Sequence, residues 1–221
     1  MYRFIETIRV EDGRAQLLPY HQLRVNRTLQ ACGKGRVSIC LEDVLGDMLG
    51  DMLGEAALCK LDYGIRPSPV GALGTLSYKA RIIYDDSGKI LERSIMPYSM
   101  RKIRSLRFVI CDDIDYSLKY ADRTQLDGLA SKSGGADEII IVRNGLLTDT
   151  SYSNIALFDG ERWYTPRNPL LCGTMRQYLL NEGLVFESDI APEAILHYQK
   201  VSLINAMMPL GLCCVDTSDI S

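Results

Sequence analysis

The sequence lacks the features that mark secreted, membrane-spanning and metal-binding chains. Its seven cysteines are an odd number without a Cys-x-x-Cys pair, and only two histidines are present, so no zinc-ligand spacing occurs. By count alone, His21 and His197 would allow a cysteine–histidine pair, but no nucleophile signature accompanies either of them. No apolar run reaches ~18 residues, and the N-terminal segment lacks the apolar core of a signal peptide. We therefore expect a cytoplasmic protein with reduced cysteines, no metal ion and no membrane span.

The charges are nearly balanced, with 25 basic and 28 acidic residues and a net charge of −3. The chain therefore lacks the basic footprint of a nucleic-acid-binding protein. Its one basic run, residues 101–107, continues into a strand-like stretch, which favours a solvated strand entry over an RNA patch. With 221 residues, 47% of them hydrophobic, the chain can bury a core without disulfides, and the composition argues against a disordered or repeat-array protein.

The pattern of the first half predicts a small α+β lobe with a mostly antiparallel sheet. Alternation of apolar and polar residues indicates strands, and Gly33 and Gly35 end a helical stretch. In chain order the predicted strands cover residues 4–10, 15–18, 76–84, 89–95 and 106–111, the predicted helices cover 20–32 and 41–59, and a loop covers 64–74. The polar stretch 112–115 is the candidate boundary, which gives lobes of residues 1–113 and 114–221.

The second half predicts hairpins with inserted helices, built on a distorted sheet or barrel. Helices are expected at residues 119–131 and 176–181, and a buried strand at 138–142. Asn144-Gly145 after that strand is a strong signal for a tight hairpin turn. Further strands are expected at residues 146–148, 153–158, 163–165, 201–205 and 213–216.

One lysine is notable for its neighbours. Lys119 lies between Tyr116 and Tyr120 and directly follows Leu118. Such neighbours disfavour the charged form of a lysine and favour a neutral, nucleophilic amine. The alternative is a surface lysine at the start of a helix, and these residues alone leave both interpretations open.

Two polar turns add candidate binding groups. Gly173-Thr174 at a predicted helix start offers backbone N–H groups, a hydroxyl and the positive end of the helix dipole to a phosphate or carboxylate. A threonine cap with nothing bound is the alternative. Asp149 lies among small polar residues within the segment 145–154, where the alternative is an ordinary capped loop.

Taken in this order, the segments resemble the class IV aminotransferases, the fold-type-IV enzymes that use pyridoxal 5′-phosphate. The family pattern has a strand hairpin, a His-x-x-Arg helix, a lysine, a Gly-x-x-Thr-Glu stretch leading to Ser-Asn, a Thr-Pro pair and a Gly-x-x-Arg loop. The corresponding segments here are residues 4–9, His21-Gln22-Leu23-Arg24, Lys119, residues 145–154, Thr165-Pro166-Arg167 and residues 173–177. The order of the motifs is more specific than any one of them.

The resemblance implies a two-lobed α+β fold, similar to that of D-amino acid aminotransferase, and a set of roles. Lys119 would hold the cofactor covalently and then move protons, and Asp149 would keep the pyridine nitrogen protonated. The expected phosphate contacts come from Arg24, Thr174, Met175, Asn205 and Ala206, and Asn154 completes the expected cofactor-binding set. The candidates for binding a substrate carboxylate are Arg81, Tyr98 and Arg107. His21 is expected to pack or hydrogen-bond rather than to act as an acid or base.

The resemblance also implies a reaction. Residues 119–123, the pairing of 165–167 with 173–177, and Asn205-Ala206-Met207-Met208-Pro209 are most similar to the 4-amino-4-deoxychorismate lyase branch of the family. We therefore expect a homodimeric lyase acting on a small amine carrying a carboxylate. The alternatives are a transaminase for branched-chain or small amino acids and a catalytically silent relative. Asp149 departs from the family pattern, which has the longer glutamate there, and the chain is short for the family.

Overall fold

The computed structural model describes residues 2–33, 38–53 and 77–221. Its contacts divide the chain into two compact units. Unit 1 consists of the chain up to Met100 together with the later segment Leu118–Asp122. Unit 2 consists of Arg101–Ser117 and Arg123–Ser221. The sequence pattern predicts one boundary, after residue 113, whereas the chain crosses between the units three times. The predicted loop at 64–74 and the end of the second helix, 54–59, lie outside the described residues.

Unit 1 contains a four-stranded antiparallel sheet in the order β2-β1-β3-β4. The antiparallel sheet expected from the alternating pattern is therefore confirmed. Its strands are β1 (Arg3–Glu11), β2 (Arg14–Ala15), β3 (Ser77–Asp85) and β4 (Ile90–Pro97), and its helices are α1 (Leu18–Ala31) and α2 (Leu41–Leu53). Strand β1 pairs with β3 along its whole length, from Arg3 opposite Asp85 to Glu11 opposite Ser77.

Local chemistry explains how β1 leads into α1. Asp12 and Gly13 both have positive φ angles, 49° and 75°, which is the geometry of a two-residue hairpin turn. Helix α1 has a proline in its first turn, where the missing N–H costs nothing. Its buried positions recur with helical spacing and pack with α2 on one face of the sheet. These buried positions are Leu18, His21, Val25, Thr28 and Leu29.

The segment Leu118–Asp122 lies against the edge of β1. The N–H of Ile5 donates to the Lys119 carbonyl at 3.0 Å, and the N–H of Ala121 donates to the Arg3 carbonyl at 2.8 Å. Phe4 and Tyr120 form an isolated antiparallel bridge between these bonds. The prediction of a helix beginning at residue 119 is therefore wrong, because pairing with β1 overrides local helix propensity here. Helix α3 begins later and spans Thr124–Ala130.

Unit 2 contains two sheets. The three-stranded sheet has the order β5-β6-β7 and the five-stranded sheet has the order β10-β9-β8-β11-β12. The first sheet consists of β5 (Leu106–Ile110), β6 (Glu138–Arg143) and β7 (Leu146–Leu147). The second consists of β8 (Asn154–Phe158), β9 (Trp163–Pro166), β10 (Phe186–Ser188), β11 (Lys200–Asn205) and β12 (Met208–Asp216), and α4 spans Thr174–Asn181.

Strand β5 differs from its expected place. The sequence pattern predicts it in the first lobe, but it pairs in parallel with β6 in unit 2, from Leu106 opposite Glu138 onward. The turn from β6 to β7 agrees with the prediction, since Asn144 and Gly145 have φ angles of 52° and 74°. Within the described residues, no helix is both long and apolar enough to cross a membrane.

Candidate functional site

A hydrogen-bonded ring in unit 2 holds the carboxylate of Asp149. Asn154, the first residue of β8, donates from Nδ2 to Asp149 Oδ1 and to the Leu171 carbonyl, both at 2.8 Å. The Leu171 N–H donates back to Asp149 Oδ2 at 2.9 Å. Both carboxylate oxygens of Asp149 are therefore fixed, and the loop after β7 is tied to the segment that precedes α4.

Burial dominates the electrostatics of Asp149. Its relative exposure is 5%, and desolvation raises the pKa of its carboxyl to about 6, against the hydrogen bonds from Asn154 and Leu171 and the through-space attraction of Arg176. Within the described part of the chain, no cationic side chain forms an ion pair with it. A cationic ligand group would stabilise the charged form of a carboxylate that is buried without an ion pair.

Gly173 is required by close approach rather than by its backbone angles. It caps α4 with ordinary extended angles, but a Cβ there would lie 2.0 Å from Asn154 Oδ1. The first N–H groups of α4, on the buried residues Thr174 and Met175, have no acceptor within the helix. The resulting turn carries the partial positive charge of a helix N-terminus beside Asn154.

Arg176 anchors this end of α4. Its buried Nη2 donates to the Pro166 carbonyl at 2.8 Å and to Glu187 Oε1 at 2.6 Å, so it joins α4 to β9 and β10. Its Nε has no hydrogen-bond acceptor among the described residues. Arg176 belongs to the Gly-x-x-Arg motif, but no role of its own was predicted for it from the sequence.

Asn205 organises the turn between β11 and β12. Its Oδ1 accepts from the N–H groups of Met207 and Met208 at 2.8 and 3.0 Å, and its Nδ2 donates to the Tyr152 carbonyl at 3.4 Å. The side chain therefore connects this turn to the loop that carries Asp149. The expected phosphate contacts of Asn205 and Ala206 stay predictions.

A second cluster, in unit 1, joins β1 to α1. Arg24 donates to Glu6 from Nε at 2.8 Å and from Nη2 at 2.6 Å, and His21 Nδ1 lies 2.5 Å from Glu6 Oε2. Glu6 and His21 are both fully buried. Sequence reasoning missed Glu6, although a carboxylate between Phe4 and Ile8 at the inward-facing positions of an apolar strand was a usable signal.

The charges of this cluster follow from its contacts. Burial alone raises the pKa of Glu6, but the attraction of Arg24 and the hydrogen bonds from His21 and Arg24 hold that pKa at about 2. Burial lowers the pKa of His21. The hydrogen bond with Glu6 and the negative charge of Glu6 act against this lowering, whereas the positive charges of Arg24 and Lys119 add to it. His21 is therefore neutral at pH 7 and presents an Nδ1–H to the ionised Glu6.

The two units divide the predicted site residues between them. Lys119 is partly buried in unit 1, and it is close enough to His21 for its positive charge to lower the pKa of His21. Arg81 is exposed on β3 and Tyr98 is half-buried after β4, both in unit 1. Arg107 is exposed on β5 in unit 2, where its guanidinium covers Gly134. Unit 1 thus holds Arg24 and Lys119, and unit 2 holds Asp149, Asn154, Thr174, Met175, Asn205 and Ala206.

Comparison with known proteins defines the class of protein. Residues 117–212 match the amino-transferase class IV family. A structure of an amino-acid aminotransferase from Mesorhizobium loti, itself provisionally assigned, has the same fold, with a TM-score of 0.75, 19% identity and full coverage of both chains. The prediction of a mixed α+β fold of this type is confirmed.

More similar relatives establish the family. An uncharacterized protein from Haemophilus influenzae is 34% identical over 208 residues, which is 94% of this chain and 98% of the relative. A crystal structure of a provisionally assigned 4-amino-4-deoxychorismate lyase from Haemophilus somnus is 30% identical, with a TM-score of 0.77 and coverage of 95% of this chain and 98% of that chain. The aminodeoxychorismate lyase of Saccharomyces cerevisiae is 37% identical over 73 residues, 30% of this chain and 20% of that protein. This chain belongs to the class IV aminotransferase family, whose members are enzymes dependent on pyridoxal 5′-phosphate.

Proposed function

We propose that this chain binds pyridoxal 5′-phosphate and uses it to cleave 4-amino-4-deoxychorismate into 4-aminobenzoate and pyruvate. Asp149 carries the cofactor part of the proposal, because it is a buried carboxylate with a raised pKa that forms no ion pair with any described residue. A protonated pyridine nitrogen would compensate its charge. Each carboxylate oxygen has a second lone pair that can accept such an N–H.

The turn before α4 fits the cofactor's phosphate. Gly173 lets the turn approach Asn154 closely, and the N–H groups of Thr174 and Met175 lie at the helix N-terminus, where anions are favoured. On the family resemblance we also assign Arg24 to the cofactor's phosphate, since a guanidinium binds phosphate oxygens through paired hydrogen bonds.

Lys119 is the residue that we assign to covalent attachment. Its carbonyl is fixed by the Ile5 N–H, so its main chain is held on the edge of β1 while its amine reacts. When bound, the cofactor supplies a ring that accepts electrons from a substrate carbon. The amine of Lys119 would then take the proton from the amine-bearing carbon of the substrate, and Asp149 would hold the proton at the ring nitrogen.

The lyase assignment is supported by similarity that spans the chain. The Haemophilus somnus structure, whose name carries this activity, matches 95% of this chain at 30% identity, and the yeast lyase matches a shorter part. In the proposed reaction the proton leaves the amine-bearing carbon, the ether bond to the enolpyruvyl group breaks, and that group takes up a proton to become pyruvate. The atoms balance without an oxidant or a second substrate, and aromatisation of the ring favours the products.

Pyruvate release without an added keto acid tests the reaction. We expect the purified protein, given 4-amino-4-deoxychorismate alone, to form pyruvate and 4-aminobenzoate in equal amounts. A strict requirement for a keto-acid acceptor, with turnover of branched-chain or small amino acids, would replace the lyase by a transaminase. A protein that binds the cofactor without either turnover would be a silent relative.

We further propose a cytoplasmic homodimer whose partners are its small-molecule substrate and a second copy of the chain, without nucleic acid or membrane. The support is the family resemblance together with the balanced charge. Light scattering after gel filtration should give about twice the mass of one chain, and the mass of a single chain would exclude the dimer.

A further inference from the structure

We propose that Glu6 is a positioning residue that aims Arg24 at the cofactor's phosphate and holds it in register with Lys119. The inference rests on the function proposed above, because it assumes that Arg24 and Lys119 contact the cofactor. It goes further by giving a role to a buried acid that the chemistry itself does not use.

The contact between Glu6 and Arg24 has the geometry of a fixed fork. Nε and Nη2 of Arg24 each donate to a different oxygen of Glu6, at 2.8 and 2.6 Å. Two parallel bonds of this kind fix the plane of the guanidinium as well as its position. With the Nε–Nη2 edge held by Glu6, contact with a phosphate has to come from the Nη1 side of the guanidinium.

His21 completes the fixation of the carboxylate. Its Nδ1 lies 2.5 Å from Glu6 Oε2, the oxygen that also accepts from Arg24 Nη2. One carboxylate, one guanidinium and one neutral imidazole thus form the group, and the buried charges of Glu6 and Arg24 compensate each other. Such a group is costly to bury without its hydrogen bonds, so it holds one arrangement.

Strand β1 connects this group to Lys119. The Ile5 N–H donates to the Lys119 carbonyl at 3.0 Å, and the next residue along the strand is Glu6. Adjacent residues of one strand therefore hold the main chain of Lys119 and the side chain of Arg24. Strand β1 is paired with β3 over its full length. We therefore infer that β1 is rigid and keeps the distance between Arg24 and Lys119 constant.

The test compares two isosteric variants on the same strand. Glu6→Gln removes the charge that holds Arg24, whereas Glu11→Gln removes another buried charge, which pairs with Arg9 and accepts from Ser77 at 2.6 Å. Binding of pyridoxal 5′-phosphate and of pyridoxal, which lacks the phosphate, is measured by absorbance titration of the full-length protein. We expect Glu6→Gln to weaken binding of the phosphorylated form about tenfold or more and to leave pyridoxal binding within about twofold, with Glu11→Gln close to wild type for both.

A double-mutant cycle with Arg24→Gln separates positioning from general damage. If Glu6 acts through Arg24, then Glu6→Gln should change cofactor affinity less than about twofold in the Arg24→Gln background. The double variant leaves no uncompensated buried charge, so it serves even where Glu6→Gln alone folds poorly. Equal losses for both ligands, equal losses in Glu6→Gln and Glu11→Gln, or an additive cycle would overturn the inference. Failure of the wild-type protein to bind the cofactor would instead refute the proposed function.

Discussion

The amide oxygen of Asn154 lies 2.0 Å from the point at which a Cβ of residue 173 would stand. The same side chain donates to Asp149 and to the Leu171 carbonyl, so it cannot rotate away without breaking both bonds. One short amide thus fixes the distance between the carboxylate assigned to the ring nitrogen and the turn assigned to the phosphate.

Gly173→Ala is expected to destabilise the protein by about 1–3 kcal/mol, the range for overpacking a filled site. The new methyl group forces Asn154 from its position, and Asp149 loses a hydrogen bond. Urea unfolding of the apoprotein measures the change, and Gly128→Ala is the matched control. A Cβ at Gly128, inside α3, meets nothing within 4 Å, so that variant should be stabilised by about 0.5–1 kcal/mol. Equal effects of both variants would contradict the close contact.

Asn154→Asp is expected to be destabilising at pH 8 and progressively less so as the pH falls. The new carboxylate cannot donate to Asp149 and places a like charge beside it, which raises the pKa of Asp149 further. Once one of the two acids is protonated, a hydrogen bond between them can form again. Urea midpoints from pH 8 to pH 5 check this, with Asn154→Ala as the variant that has no titrating group. Parallel pH curves for the two variants would exclude the predicted coupling.

Asp149 should make the apoprotein more stable as the pH falls. Its pKa is about 6 when folded, against the ordinary 3.8, so the folded state binds the proton more tightly. The resulting stability is complete below pH ~4 and is lost as the pH rises through 6. The shift corresponds to about 3 kcal/mol. We expect the difference in free energy of unfolding between wild type and Asp149→Asn to change by an amount of this order between pH 8 and pH 4.

The lowered pKa of His21 acts in the opposite direction, because an unfolded histidine gains a proton below its ordinary pKa of 6.5. The His21 contribution is present in both the wild type and Asp149→Asn, so it cancels in the difference between their free energies of unfolding. A difference that stays constant from pH 8 to pH 4 would show that Asp149 titrates normally.

Lys119→Ala should bind the cofactor without holding it covalently. Wild-type protein mixed with pyridoxal 5′-phosphate should show an absorbance band near ~410–430 nm and, after borohydride reduction, retain the cofactor through denaturation. The variant should release it on denaturation. Lys132→Ala, at an exposed lysine of unit 2, should behave as wild type. Retention of the reduced cofactor by the Lys119 variant would show that another lysine is attached.

The features that sequence could predict are those set by neighbouring residues. The Asn144-Gly145 turn and the amphipathic helix α1 follow from local chemistry, and both are present. Partners distant in the chain were missed or misplaced. The pairing of Glu6 with Arg24 spans 18 residues, and the parallel pairing of β5 with β6 joins residues 106 and 138. The spacing of apolar residues along the chain does not indicate which distant segment will pair with a strand edge or with a buried charged side chain.

The segment Leu118–Asp122 has a consequence for attempts to separate the units. A polypeptide ending at Met100 would lack the piece that covers the first part of β1, leaving the Ile5 N–H and the Arg3 carbonyl without their acceptor and donor. Uncovered strand edges recruit other chains, so such a fragment should self-associate. Adding a synthetic peptide spanning this segment should suppress that self-association by taking the vacant place along the strand.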